Sequence, residues 1–333
     1  MNMRLAASLL VAASFGLVRA DAAPQAGSVD SHMAAAQKAA GTDFSGVLAR
    51  LCVVPASGSD AQAAARNARG AAPRKEIVPD RATWYAEPQK VFDNLYWVGT
   101  KIHSSWAIKT SAGIILIDTL YNYAAEPEIV DGLKKLGLDP ATIKYVIVSH
   151  GHGDHDEGAK LLQDRYGAHI IMGAPDWDSI IKANNMPGGV PKRDMVAADG
   201  EKLTLGDETV TIITTPGHTP GTLSMIFPVK DHGKTLVVAY SGGTAFNFPR
   251  DPAHFDIYIN SQKKFAKAVA AAGATILLSN HSEFDQAYMK GRMLASRKPD
   301  EISPFVNGAE AVQRYFTVSS ECAEAEKLRI KGS

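Results

Sequence analysis

Short apolar runs divide the chain beyond Val91 into alternating strands and helices. The runs are rich in β-branched and aromatic residues, and Gly, Ser and Asn interrupt them, which is typical of strands. A helix is predicted over EPEIVDGLKKLG, ending at Gly137. The predicted strands of this part are NLYWVGT, SSWAIKT, AGIILID and the buried KYVIVS, which leads directly to His150.

The alternation of strands and helices continues towards the C-terminus. Helices are predicted in EGAKLLQDRYG, APDWDSIIKANN and IYINSQKKFAKAVAAAG, and further helices from about Glu283 to Ile330. Strands are predicted in AHIIM, LSMIF, KTLVVAY and TILLS, and a hairpin turns at Gly206-Asp207. Because no regular internal repeat is present, this order predicts an α/β layered domain with helices outside the sheets.

The first 85 residues differ from the rest in composition. Residues 1–20 contain Arg4, then an apolar run that is too short to span a bilayer, and small residues near Ala20. They predict a signal peptide and a periplasmic or secreted protein, with a buried N-terminal helix as the alternative. Residues 21–85 are rich in Ala, Gly, Ser and Pro and predict a partly helical N-terminal extension.

The net charge limits the kinds of partner that this chain can bind, and the two cysteines raise the question of a disulfide. The 35 Lys and Arg balance the 35 Asp and Glu, so net charge does not suggest a nucleic acid or an anionic membrane. We expect a small-molecule substrate and no membrane contact beyond export, and the oligomeric state stays open. Cys52 and Cys322 could form a disulfide in an exported protein or remain two buried thiols. Neither lies near the histidine cluster described next.

The stretch VSHGHGDHDEGA places three histidines and two aspartates close together just after a predicted strand. His150 and His152 are two positions apart in an extended segment, so they project to one side and can bind one metal ion. Asp154 and the adjacent His155 cannot easily join them at one tetrahedral ion. The motif therefore predicts a second metal position a few ångströms away, and one further ligand for each ion.

Two histidines at the ends of other strands are the candidates for these ligands. His218 lies in the tight loop TPGHTPGT, and His281 follows the strand in ILLSNHSEF. Each alone would more often be an ordinary hydrogen-bonded histidine, but together with the cluster they are predicted ligands. Structural or solvated roles are the default for the remaining histidines, which are His32, His103, His169, His232 and His254.

The motifs HGHGDH and PGHTPGT, together with His281, resemble the metallo-β-lactamase superfamily. The resemblance implies a four-layer αββα sandwich with a zinc site at the open edge between two sheets. It also implies a catalytic domain over residues 86–290, followed by a C-terminal helical segment, residues 291–333, that packs on the core.

Within the superfamily, the sequence is most similar to the cysteine-free third subclass of metallo-β-lactamases. Glyoxalase-like, lactonase-like and RNA-processing members generally carry an Asp that bridges both metals, whereas no Asp occurs here between Asp231 and Asp251. Two other β-lactamase subclasses place a Cys in this region, and this chain has none there. Two features depart from the third subclass: Glu157-Gly158 replaces a double glycine, and the N-terminal extension is long.

This resemblance implies a site with two Zn²⁺ ions per chain. The enzyme would open the amide of β-lactam antibiotics with a metal-bound hydroxide and without a covalent intermediate, and Asp154 would orient the hydroxide as the catalytic carboxylate. The ligands implied for the first and then the second ion are His150, His152 and His218, and Asp154, His155 and His281.

Substrate contacts and reaction class are less closely defined by the motifs. Ser241, and also Thr244, lie in the loop that replaces the bridging Asp and are predicted to contact the substrate carboxylate. The alternative functions are an exported metallo-hydrolase of another lactone, ester or amide, and a zinc protein without catalysis. Six ligands disfavour the last of these, because a structural zinc site is closed by four.

Overall fold

The structure, a computed structural model, describes residues 25–53 and 75–332. The signal peptide predicted for residues 1–20 lies outside these segments. No helix within them is both long and apolar enough to cross a membrane. The α-helices are α1 (Val29–Ala40), α2 (Ser45–Leu48), α3 (Arg81–Trp84), α4 (Asn122–Ala124), α5 (Asp131–Lys135), α6 (Gly153–Asp156), α7 (Ala159–Tyr166), α8 (Ala174–Ala183), α9 (Pro252–Ala271), α10 (Ser282–Asp285), α11 (Ala287–Leu294) and α12 (Ala309–Gly332).

The strands form two sheets. The first sheet has the order β1 to β7, with antiparallel pairing from β1 to β4 and parallel pairing from β4 to β7. The second has the order β12-β11-β10-β9-β8, in which only β11 and β12 are parallel. The strands are β1 (Gln89–Lys90), β2 (Leu95–Trp97), β3 (Trp106–Thr110), β4 (Gly113–Ile117), β5 (Ile143–Ile147), β6 (His169–Met172), β7 (Met195–Val196), β8 (Glu201–Leu205), β9 (Glu208–Thr214), β10 (Leu223–Asp231), β11 (Lys234–Ser241) and β12 (Ile276–Ser279).

A hydrophobic core fills the space between the two sheets. Trp106 and Ile147 of the first sheet and Phe227 and Tyr240 of the second belong to one buried cluster. Alternate positions along each strand point into this cluster because side chains in a strand alternate between the two faces. Burial of each large apolar side chain contributes about 1.5 to 3 kcal/mol, so this cluster is the main source of cohesion between the sheets.

Helices cover the outer faces of both sheets. On the first sheet, Leu116 and Val146 pack in a second cluster with Leu162 of α7 and Trp177 of α8. On the second sheet, Leu277 belongs to a third cluster that also contains residues of α1, α9 and α12. Helix, sheet, sheet and helix therefore follow one another, which confirms the predicted four-layer αββα sandwich.

The described part of the N-terminal extension belongs to the outer helical layer. Helix α1 packs along α12, and His32 Nδ1 lies 2.6 Å from a carboxylate oxygen of Glu321. A π-helical turn, Ala49–Val53, follows α2 and carries Cys52, which forms a disulfide with Cys322. Of the two states that the sequence left open for these cysteines, the structure has the disulfide. The domain boundaries given above stay predictions.

The ends of several strands meet at one edge of the sandwich. Strand β4 pairs with β5 so that Ile117 lies opposite Ile147, and Asp118 and His150 follow these strands closely. Strands β11 and β12 run parallel and also end together, with Ser241 opposite Ser279. An isolated antiparallel bridge between His103 and His281 joins the loop before β3 to the end of β12. This edge carries the candidate site.

Candidate metal centre

Three imidazoles form the first ligand group. The Nε2 atoms of His150 and His218 lie 3.1 Å apart, and His218 Nε2 lies 3.1 Å from His152 Nδ1. Tetrahedral zinc with nitrogen ligands at 2.0 to 2.1 Å would separate them by about 3.3 Å. The predicted trio is therefore brought together at the spacing that one zinc ion requires.

Backbone carbonyls orient two of these rings. His150 Nδ1 donates to the carbonyl of Gly242 at 2.8 Å, and His218 Nδ1 donates to the carbonyl of Ala245 at 2.6 Å. Both rings consequently present Nε2 to the centre of the group. The loop after β11, which supplies both carbonyls, must approach His218 very closely: a Cβ on Gly243 would lie 2.6 Å from the Cβ of His218. This close approach explains the two glycines of the sequence YSGGT.

Asp154, His155 and His281 form the second group. An oxygen of Asp154 lies 3.2 Å from Nε2 of both His155 and His281, and these two nitrogens are 3.1 Å apart. The three atoms form a nearly equilateral triangle that again fits the ligand spacing of tetrahedral zinc. The predicted second set is therefore also brought together, although the three side chains come from two distant parts of the sequence.

The structure adds His103 to this group. Its Nε2 lies 3.6 Å from an oxygen of Asp154, and atoms of His103, Asp154 and His281 all lie within 4.8 Å of one another. The default role given to His103 from the sequence was structural or solvated. The sequence did not indicate this proximity, because His103 lies far from the HGHGDH motif along the chain and reaches it only through the bridge with His281.

Asp118 supports the second group and was also missed by the sequence reasoning. It is fully buried just after β4, and its carboxylate lies 3.2 Å from His155 Nδ1. It also accepts hydrogen bonds from the backbone N–H of Ser149 and the hydroxyl of Tyr240, at 2.6 and 2.8 Å. Its only sequence signal was an acidic residue at the end of an apolar strand.

Asp176 ties the two motif loops together. Its carboxylate accepts hydrogen bonds from the backbone N–H groups of Gly151 and Gly221 and from the hydroxyl of Thr219, at 2.7 to 2.9 Å. One loop carries His150 and His152, and the other carries His218. Helix α8 therefore fixes the spacing of the first group from outside it.

Burial and local charges set the protonation of the ligands. Burial lowers the pKa of His150 and His218 well below the ordinary histidine value, so both are neutral at pH 7 and can bind a metal. Burial also disfavours a charge on His155, but the carboxylates of Asp154 and Asp118 outweigh it and raise the pKa of His155 to about 10. An ion that binds His155 must displace this proton.

Both groups border a cleft of about 240 Å³. His152, Asp154, His218 and His281 line it from the metal side. The remaining lining includes Arg50, which comes from the N-terminal extension. The cleft therefore lets a small molecule reach both groups.

Of the two residues predicted to contact substrate, one lies at this cleft. Thr244 is part of the lining. Ser241 is only 2% exposed, is absent from the lining, and accepts a hydrogen bond from the hydroxyl of Tyr315 at 2.9 Å. Thr244 is itself only 1% exposed, and its hydroxyl lies 2.5 Å from the hydroxyl of Tyr315, so Thr244 belongs to the cleft wall while its hydroxyl is paired with α12.

The donor set matches the chemistry of zinc. Zinc sites in proteins are built from imidazole nitrogens and carboxylate oxygens, and their imidazoles usually bond through the second nitrogen to a carbonyl or carboxylate. His150 and His218 meet this second condition through carbonyls, and His155 lies against Asp118. The residues present therefore fit the metal.

Comparisons with known proteins agree with this geometry. The sequence profile described as Metallo-beta-lactamase superfamily matches residues 98–279. BJP-1, a subclass B3 metallo-beta-lactamase of Bradyrhizobium japonicum, superposes with a TM-score of 0.64 at 28% identity, covering 80% of this chain and 98% of that one. Because the profile matches more than half of the chain, this protein belongs to the metallo-β-lactamase superfamily of metal-dependent hydrolases, as its motifs indicated.

Relatives found by sequence have other activities. A hydroxyacylglutathione hydrolase of Acidiphilium cryptum is 28% identical over 194 residues, which are 57% of this chain and 65% of that protein. The N-acyl homoserine lactonase AttM of Agrobacterium fabrum is 36% identical over 108 residues, which are 29% of this chain and 40% of that protein. The chain thus spans less than two thirds of the length of each, and these similarities define the superfamily and not the substrate.

Proposed function

We propose that this protein is a β-lactamase that uses two zinc ions to open the amide of β-lactam antibiotics. The observation that carries the proposal is the composition of the two ligand groups. Three imidazoles form the first group and Asp154 supplies the only carboxylate ligand of the second, while the loop after β11 presents Gly242 and Gly243. A bridging Asp would occupy this loop in glyoxalase-like and lactonase-like members, as noted above for the family.

The similarity to BJP-1 supports the same substrate class. BJP-1 is a subclass B3 metallo-beta-lactamase, and nearly all of that chain is covered by the superposition. The sequence resemblance to the cysteine-free third subclass points the same way independently, since it rests on motifs and not on the fold.

The chain's own residues have separable tasks in this reaction. Bound zinc lowers the pKa of a water molecule to about 7 and polarises a carbonyl group. Asp154 lines the cleft beside His281 and lies 3.2 Å from Nε2 of His155, so its carboxylate can accept a proton from the attacking water and orient it. His150 and His218 are held by backbone carbonyls before substrate arrives, so little reorganisation of these two rings is needed.

A positively charged residue at the cleft supports the proposal that the substrate is an anion. Arg50 lines the cleft, and its guanidinium has no hydrogen bond or ion pair with the residues in the described segments. Its position is restrained by Cys52 two residues later, through the disulfide with Cys322. β-Lactams carry a carboxylate, and an arginine is well suited to bind one. We assign this contact to Arg50, with Thr244 nearby.

Export to the periplasm or the medium is part of the proposal. It is supported by the composition of residues 1–20 and by the disulfide, because disulfides persist in oxidising compartments. Such a location would place the enzyme where antibiotics first meet the cell.

Hydrolysis of another lactone, ester or amide is the second candidate. The observation that favours it is the pair of sequence relatives, named as a hydroxyacylglutathione hydrolase and an N-acyl homoserine lactonase. The metal chemistry is the same for these substrates, so the two ligand groups are compatible with either reaction.

One panel of assays separates the two candidates. Purified, zinc-loaded protein is tested against nitrocefin, a carbapenem, an N-acyl homoserine lactone and a glutathione thioester. We expect turnover of the β-lactams, and its loss on chelation and on replacing His218 with Ala. Turnover of only the lactone or the thioester would overturn the β-lactamase proposal in favour of the second candidate. Turnover that survives removal of the metal would overturn both.

A further inference from the structure

His103 is held beside the second ligand group by the backbone on both sides. Ser104 N–H donates to the carbonyl of Asn280 at 2.8 Å, and Ser282 N–H donates to the carbonyl of Ile102 at 2.7 Å. These bonds flank the bridge between His103 and His281. The backbones of His103 and His281 are therefore hydrogen-bonded side by side, and their imidazole ring centroids lie 5.0 Å apart.

The ring of His103 is also restrained. Tyr121 packs edge-on against it with ring centroids 5.2 Å apart, and the side chain of His103 is only 14% exposed. Its backbone N–H donates to the hydroxyl of Thr100 at 2.8 Å. A surface histidine would sample many orientations, whereas this one is packed with Nε2 facing Asp154.

The separations of His103 from Asp154 and His281 are compatible with a further ligand. Asp154 has three nitrogens around its carboxylate oxygen: those of His155 and His281 at 3.2 Å and that of His103 at 3.6 Å. The edge of a zinc tetrahedron with these ligands is about 3.3 Å. Relative to Asp154, His103 thus lies within a few tenths of an ångström of the separation expected between two ligands of one ion, while its ring centroid lies 6.2 Å from that of His155, on the opposite side of the group.

We propose that His103 is a fourth protein ligand of the second metal ion, completing the group of Asp154, His155 and His281. This inference rests on the two-ion site of the proposed function. It makes the two positions unequal: the second has four protein ligands, while the first has three imidazoles and keeps a position for water. The competing role is a hydrogen bond from His103 to Asp154 that merely positions the carboxylate.

Cobalt binding tests the proposal without reference to catalysis. Metal-free full-length protein is titrated with Co²⁺, and both the affinity of each step and the visible absorption bands, which report coordination number and ligand type, are recorded. The variants are His103→Ala and His103→Gln, because glutamine keeps a hydrogen-bond donor but lacks the imidazole. His169→Ala is the matched control, since His169 is exposed at the start of β6, pairs with Asp194, and does not line the cleft. His218→Ala identifies the step that belongs to the first group.

A ligand and a positioning residue give different results. Loss of a residue that only orients a ligand lowers metal affinity by about 10- to 100-fold, so loss of a ligand should lower it by more than about 100-fold. We expect both His103 variants to lose this much affinity in the step that His218→Ala leaves intact, and to change its absorption bands, while His169→Ala behaves as wild type. Circular dichroism and thermal unfolding establish that each variant is folded.

Two results would overturn the inference. If His103→Gln binds two Co²⁺ with wild-type affinity and spectrum, His103 acts only through Asp154, and the two-ion site itself stands. If the wild-type protein takes up fewer than two ions, the two-zinc function fails as well. The two failures are distinguished by the stoichiometry of the wild-type titration.

Discussion

The carboxylate of Asp118 lies 3.2 Å from Nδ1 of His155, and both side chains are completely buried. A buried carboxylate against the outward nitrogen of a ligand fixes the orientation of the ring and increases its basicity. The same carboxylate accepts the backbone N–H of Ser149, the residue before His150. Asp118 therefore connects the end of β4 to both ligand groups without binding an ion itself.

Replacing Asp118 with Asn should weaken the second metal position. We expect the affinity for the second ion to fall by about 10- to 100-fold, because the neutral amide no longer stabilises a positive site around His155. Competition with a chromophoric chelator measures this change. Asp194→Asn, which alters an exposed Asp and His pair, is the matched control and should bind metal as wild type does. Equal affinities in both variants would remove Asp118 from the supporting shell of the site.

Replacing Arg50 with Ala should raise KM for anionic substrates. If Arg50 binds the carboxylate equally in the ground and transition states, KM rises about 10-fold while kcat changes little. A β-lactam and its methyl ester form the substrate pair, and the ester should show no change. Arg193→Ala is the control, because Arg193 pairs with Asp178 at the surface and does not line the cleft. An equal rise in KM for acid and ester would contradict the assignment.

Removing the disulfide should destabilise the protein. The Cys52→Ser, Cys322→Ser double variant loses a link across a sequence separation of 270 residues, and disulfides typically contribute about 2 to 4 kcal/mol by restricting the unfolded chain. Urea unfolding of the oxidised protein and of the variant measures the difference. Reduced wild-type protein serves as the control and should match the variant. Coinciding midpoints for the oxidised protein and the variant would show that the link contributes no stability.

Glu128 should make stability fall as pH rises. Burial raises the pKa of its carboxyl to about 8, although one oxygen accepts the N–H of Ala86. In the unfolded chain the group ionises near pH 4.5, so between pH 4.5 and 8 the folded state holds the extra proton and loses stability with each rise in pH. The loss is on the order of 5 kcal/mol across this window, because each pKa unit corresponds to about 1.4 kcal/mol.

A glutamine at position 128 removes this titration. In Glu128→Gln, the free energy of unfolding should vary less between pH 5 and 8 than it does in the wild type, and the variant should be the more stable protein at pH 8. Denaturant unfolding at several pH values gives both curves. Glu126→Gln is the control, because Glu126 is exposed and pairs with Arg165 at the surface. If the free energy of unfolding has the same dependence on pH in the wild type and in Glu128→Gln, Glu128 does not have a raised pKa in the folded protein.

The sequence alone predicted the α/β layered fold from the order of its strands and helices, and the resemblance of its motifs to the superfamily implied the six ligand positions. His150 and His152 must share a side of an extended segment wherever that segment lies. The glycines beside His218 and in YSGGT are visible in the sequence, but the contacts that require them, such as that of Gly243 with His218, are made by the tertiary structure.

Only the tertiary structure placed His103, Asp118 and Arg50 at the site and covered Ser241 with α12. His103 reaches Asp154 through a backbone bridge to a residue far along the chain, and Asp118 meets His155 because β4 pairs with β5. Ser241 was predicted to contact the substrate carboxylate, but it is buried beneath α12. Contacts between segments distant in sequence depend on how the layers pack, and local patterns in the sequence do not predict that packing.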